Sequence, residues 1–156
     1  MSLERVKTYL KKYNKEAEII EFNESTATVE EAARTLNVTN GEIAKTLSFS
    51  LTDKYILIVT AGDYKIDNKK YKETFGQKAQ MISREEVEKI IGHDVGGVCP
   101  FGINEGIEVY LDESLKKYDY IYPACGTSNS AIKLTVEELY NISNATEFID
   151  VCKVIE

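Results

Sequence analysis

The sequence predicts an α+β fold: one domain over residues 1–156, in which helices flank a mixed, mostly antiparallel central sheet. Two apolar runs, Ile43 to Leu51 and Lys54 to Ala61, stand on either side of Thr52-Asp53, which is hairpin spacing. Helix starts are marked where a hydroxyl residue precedes a glutamate by three positions, at Thr28, Ser83 and Thr135. Hairpins and helices also interleave irregularly, whereas a doubly wound sheet would alternate strands and helices strictly. With 156 residues and 43% hydrophobic content, the chain is long enough to bury one full core.

The elements follow in order. Leu3, Val6, Tyr9 and Leu10 recur at helical spacing, and the polar Tyr13-Asn14-Lys15 ends that helix. Ala17 to Phe22 reads as a strand. Thr28 opens a second helix that runs to about Leu36, and Asn37 to Gly41 is turn chemistry. The hairpin strands come next and are expected at the centre of the sheet. Gly62-Asp63 breaks the second of them, and a helix from about Asp67 presents Tyr71 and Phe75 until Gly76 stops it. A short strand is expected at Ala79 to Ile82, then a helix from Ser83 carrying Val87, Ile90 and Ile91. Further strands are expected at Ile107 to Leu111, Tyr118 to Tyr122, Ala131 to Leu134 and Thr146 to Val151. A helical turn at Asp112 to Lys116 and a helix from Thr135 lie between them.

Composition removes several function classes. The net charge of −7 opposes general binding to a nucleic-acid backbone, so no DNA partner is expected. Apolar runs such as Tyr55 to Val59 are far shorter than the roughly 20 residues of a membrane span, and the first residues lack an apolar signal core. The expected location is therefore cytoplasmic. Cys99, Cys125 and Cys152 are widely separated and odd in number, which fits reduced thiols better than disulfides or a zinc site. Carboxylates are not grouped at metal-ligand spacing, and neither a phosphate loop nor a dinucleotide fingerprint occurs, so no metal and no cofactor is expected. Lys65, Lys69, Lys70, Lys72 and Lys78 form a local positive neighbourhood, which reads first as a solvated helix face.

Two features carry chemistry. The stretch from Gly92 to Gly102 holds glycines at 92, 96, 97 and 102 with Pro100, which suits either a tight crossover or a backbone cradle for a ligand. Lys45 sits in the strand Ile43-Ala44-Lys45-Thr46-Leu47-Ser48-Phe49, where period-two alternation puts it on the face of Ile43, Leu47 and Phe49. An ammonium there is costly unless it reaches a cleft or an anion. Cys99 and Cys125 read as packing thiols more readily than as nucleophiles, and the single histidine, His93, as a loop residue more readily than as a base.

Five segments then occur in register: Gly41 to Leu47, Ala61-Gly62-Asp63 with Asp67, Gly96 to Gly102, Val109 to Leu115, and Cys125 to Ser130. In order and spacing they resemble the YbaK/EbsC family from about residue 20 onward. The chain is similar to a free-standing trans-editing aminoacyl-tRNA deacylase and to the inserted editing domain of bacterial prolyl-tRNA synthetases. The resemblance implies a YbaK-like fold that hydrolyses the ester joining a mischarged amino acid to the terminal adenosine of tRNA. The acyl group implied is a small amino acid on tRNA for proline. The implied partner is the acceptor end of aminoacyl-tRNA, with prolyl-tRNA synthetase as a second candidate. A non-catalytic module that binds aminoacyl-tRNA or a synthetase is the alternative on the same fold.

The implied site has Lys45 as its catalytic residue, anchoring a carbonyl, a phosphate or the developing oxyanion. Thr46 beside it is a substrate-binding candidate, and Gly96, Gly97, Val98, Cys99 and Pro100 shape the acyl pocket with Phe101 and Gly102. Asp112 either orients substrate or caps the helical turn that follows it. Gly126 matches a loop glycine that precedes a Lys-Arg-Gly run in the cysteinyl-tRNA deacylase branch. In this chain that run is Thr127-Ser128-Asn129, which removes two positive charges and leaves groups suited to ligand hydrogen bonds or to turn formation. Asp63 is expected to cap a turn.

Overall fold

The computed structural model describes residues 2–156; Met1, the first residue of the expected domain, lies outside them. The first helix, α1 (Ser2–Lys11), buries Val6 and Leu10, and Asn14 leaves it with a positive φ of 59°. The expected strand at 17–22 is reduced to β1 (Ile20–Glu21), because Glu16–Glu18 form a 3-10 turn. Helix α2 (Val29–Leu36) starts on a complete capping box between Thr28 and Glu31 and ends at a left-handed Asn37. Then come β2 (Ile43–Ser50) and β3 (Tyr55–Ala61), joined by the expected tight turn, in which the Leu51 N–H donates to the Lys54 carbonyl at 2.7 Å.

Past Gly62-Asp63 lies β4 (Tyr64–Ile66), a strand too short for period-two reading. Helix α3 (Asn68–Phe75) is capped by Asp67, whose carboxylate accepts from Lys69 N and Lys70 N, and stops at Gly76. The expected strand at 79–82 is a single antiparallel bridge, Phe49 to Met81. Helix α4 (Arg84–Ile91) follows, but the capping box expected at Ser83 is incomplete, since its hydroxyl donates to the Glu86 carboxylate and caps no N–H. The rest comprises β5 (Glu108–Asp112), a 3-10 turn over Glu113–Lys117, β6 (Tyr122–Pro123), β7 (Ser130–Ala131), α5 (Val136–Ile142), β8 (Glu147–Ile149) and β9 (Cys152–Val154).

The central sheet has the order β6-β2-β3-β5-β8, with small antiparallel pairs β1-β7 and β4-β9 beside it. The α+β class and the mixed sheet agree with the sequence reading. The expected antiparallel majority does not hold in the central sheet, where only β2-β3 is antiparallel while β2-β6, β3-β5 and β5-β8 are parallel. The physical reason is that an apolar run reports burial and says nothing of a neighbour's direction. The run that is β3, with Ile56 to Val59 fully buried, has the two-sided burial of a strand inside such a sheet.

One face of the sheet, carrying Ala44, Leu57, Val59, Val109 and Leu111, packs against α1, α4 and α5. The other, carrying Phe49, Ile56, Ile58 and Tyr110, packs against Tyr71 of α3 and the segment Ile149 to Cys152. Each large apolar side chain withdrawn from water in this way contributes about 1.5–3 kcal/mol. Helix α2 covers the β6 end through Ala32 and Ala33 against Ile43.

Candidate functional site

The outer edge of β2 is interrupted. Its first residues, Ile43 and Ala44, pair with Tyr122 and Pro123 of β6. Its last residues meet the segment before α4: Ile82 N–H donates to the Ser48 carbonyl at 3.1 Å, and Ser50 N–H donates to the Gln80 carbonyl at 2.9 Å. Between these two seams, Lys45, Thr46 and Leu47 face a cavity of about 330 Å³. Its far walls come from Thr26 to Val29 with Ala32 and from Val95, Gly96 and Val98. The cavity is within the size range of small-molecule sites and is largely apolar.

Lys45 and Arg84 are the charged residues of this wall, and among the described residues no Asp, Glu, His or Cys lines it. Lys45 is partly buried and has no hydrogen-bond or ion-pair partner among the described residues. Burial lowers its pKa, and the carboxylates of Glu30 and Asp63 partly counter this by favouring the charge. Two buried hydroxyl oxygens of the wall, Thr26 Oγ1 and Thr46 Oγ1, have no hydrogen-bond partner among the described residues. A cavity that leaves such groups unpaired is suited to a ligand that carries polar atoms.

The predicted site residues fall into separate places. Lys45, Thr46, Gly96 and Val98 meet at the cavity. Gly97 lies behind it, pressed against the neighbouring loop so closely that a Cβ would come within 2.5 Å of Thr127 N. Its lack of a side chain thus lets two loop backbones touch, which joins the crossover and the cradle in one feature. Cys99, Pro100 and Phe101 are buried, and neither they nor Gly102 line the cavity. The Phe101 carbonyl receives His93 Nε2 at 2.6 Å and the Cys99 thiol at 3.7 Å, so His93 ties the loop from inside. Burial pushes the Cys99 and Cys152 thiols up to about 12 and Cys125 well above its usual range, which keeps all three protonated and non-nucleophilic.

Asp112 is buried, with Oδ2 accepting Ser114 N–H and Oδ1 accepting Val151 N–H, both at 2.9 Å. It caps the 3-10 turn and ties down the C-terminal segment. Asp63 accepts the Tyr118 hydroxyl at 2.8 Å. Gly126, Thr127 and Ser128 line a shallower depression next to the cavity, bounded also by Arg84 and Val95. The Asn129 side chain donates to the Phe22 carbonyl, and Thr26 N–H donates to the Ser128 carbonyl, so this loop holds the 22–26 segment.

Sequence reading missed Thr26, Met81, Arg84, Val95 and Tyr122 as cavity residues. They come from segments remote in the chain, and only Arg84, a cation at the start of a helix, carried any local signal.

Against known proteins, residues 23–142 match the aminoacyl-tRNA editing domain. YwhH of Bacillus subtilis (strain 168), an uncharacterized protein, is 53% identical over 154 residues, covering 98% of each chain. A proline--tRNA ligase of Bacillus cytotoxicus is 30% identical over 88 residues, which is 56% of this chain but 16% of the ligase. Among solved structures, a candidate trans-editing enzyme for prolyl tRNA synthetase matches with a TM-score of 0.88 and 29% identity, covering 97% of both chains.

Proposed function

The chain belongs to the aminoacyl-tRNA editing domain family, and from that premise we propose that it is a deacylase. In this reading it hydrolyses the ester of a small amino acid mischarged on tRNA for proline and acts apart from the synthetase. The observation that carries the reading is the cavity at the β2 edge, where a lysine without a partner among the described residues adjoins a largely apolar chamber that no described Asp, Glu, His or Cys lines. An aminoacyl ester is already activated, so holding its carbonyl beside a positive charge and admitting water is sufficient chemistry. Lys45 is the electrostatic anchor for the ester or the adjoining phosphate, and Gly96 and Val98 bound the acyl group. A chamber of about 330 Å³ that also has to admit sugar-proximal atoms favours a small acyl group. The acceptor end of tRNA is the partner recognised in this reading, and the likeness to part of proline--tRNA ligase supports that synthetase as the source of the errors.

The test is a deacylation panel of alanyl-, cysteinyl-, seryl- and prolyl-tRNA with purified full-length protein. Release is expected from one or more of the small acyl groups. Lys45→Ala is expected to lower the rate by about 100- to 1000-fold with the thermal midpoint nearly unchanged. Absence of release across the panel sinks the reading, and tight binding of aminoacyl-tRNA without turnover would replace it with a binding module.

A further inference from the structure

The interrupted edge of β2 has a property that concerns only backbone atoms. In an antiparallel strand, the N–H and C=O of successive residues turn to alternate sides. The Leu51 N–H bond to Lys54 O sends the odd-numbered residues of β2 toward β3, while the bonds of Ser48 and Ser50 to Ile82 and Gln80 send the even-numbered ones outward. Thr46 is therefore an outward residue, and it falls between the seams that occupy Ala44 and Ser48. Its N–H and C=O have no partner among the described residues, and both turn toward the cavity whose wall Thr46 forms. The Thr46 pair is left open there, with the Ser48 N–H beside it also without a partner among the described residues.

An α-aminoacyl ester has the skeleton of one strand residue, with an amino group, an α-carbon and a carbonyl. We propose that the protein binds this group as a one-residue β-strand on β2, with the substrate's α-amino group donating to Thr46 C=O and its ester carbonyl accepting from Thr46 N–H. The inference rests on the deacylase reading and adds how the substrate class is recognised. The match is one of donors and acceptors: the edge offers one of each at the spacing of an antiparallel hydrogen-bonded pair. Direction follows as well. The side chain of a paired residue lies on the face of its partner's side chain, so the acyl side chain joins that of Thr46 on the Ala44 face. Ile82, Val87 and Val98, which belong to the core on that face, line the cavity there. Inversion at the α-carbon would send the side chain to the opposite face. The ester oxygen lies toward the Lys45 end of the open stretch, because an antiparallel guest runs against β2.

Recognition by this pair requires an N–H donor on the α-nitrogen and L configuration, whatever the small side chain. The experiment uses the 15N-labelled full chain and the non-hydrolysable probe 3′-(L-alanylamino)-3′-deoxyadenosine. On binding, the Thr46 amide proton is expected to move downfield and to exchange with solvent more slowly. The D-alanyl and desamino (propionyl) forms of the probe are expected to bind about 10-fold or more weakly. Binding of the probe without a response at the Thr46 amide, or equal binding of the propionyl or D-alanyl form, overturns the edge pairing and leaves the deacylase reading intact. No binding of the probe also overturns it, and the tRNA panel run in parallel shows whether the deacylase reading falls with it.

Discussion

Lys45 and His93 are both withdrawn from water, and in both cases burial favours the uncharged form. Their consequences differ in pH. In the proposed deacylase Lys45 acts through its charge, so enhancement of ester hydrolysis over the uncatalysed background is expected to be complete near neutral pH. It should decline as pH rises through a lysine pKa lowered from 10.5, and single-turnover rates over pH 7–10 check this. His93 has its pKa lowered from 6.5, by burial first and by the Arg5 charge as well. Between that lowered value and 6.5 the unfolded chain binds the extra proton, so stability rises with pH across the window and is lost on acidification from 6.5 downward. Because the chain has a single histidine, its ring signal in proton NMR should titrate below 6.5, and urea midpoints should fall over the same window. At this scale the sequence showed Lys45 clearly, through an ammonium in an apolar alternation. It could not show Thr26 or Thr46 as unpaired hydroxyls, because pairing depends on chain segments brought together only by folding.

The elements show the same division. Capping chemistry is local, and the boxes at Thr28 and Thr135 formed as read. Register and edge exposure depend on distant partners. The apolar hairpin was legible as β2 and β3, yet nothing in it indicated that β6 and the Gln80 to Ile82 segment would cover the two ends of β2 and leave its middle open. The glycine loop is an intermediate case. Its density of glycine marked close backbone approach, while the partner of that approach, the Thr127 backbone, came from the fold. Gly97→Ala is accordingly expected to separate the two loops, costing about 1–3 kcal/mol of stability and lowering deacylation as Val98 shifts. Chemical denaturation and kcat/KM measure the two effects, and an unchanged stability would refute the contact.

For the whole molecule, the net charge of −7 limits how tRNA is held. If recognition concentrates on the aminoacyl end at the β2 edge, few phosphates are neutralised and the salt dependence of binding is shallow. A slope of log affinity against log salt corresponding to roughly three phosphates or fewer is expected. A steep slope, measured by fluorescence anisotropy between low and physiological salt, would point to an extended basic surface instead. Composition, helix punctuation, the central hairpin and the lysine that carries the proposed chemistry were determined by the sequence alone, because each depends on residues close together in the chain. Strand direction, the open edge at Thr46 and the walls of the cavity were decided by tertiary structure. Those features arise when β6, the 80–82 segment, α2 and the glycine loop converge on β2, and no local pattern encodes which backbone groups that convergence leaves unpaired.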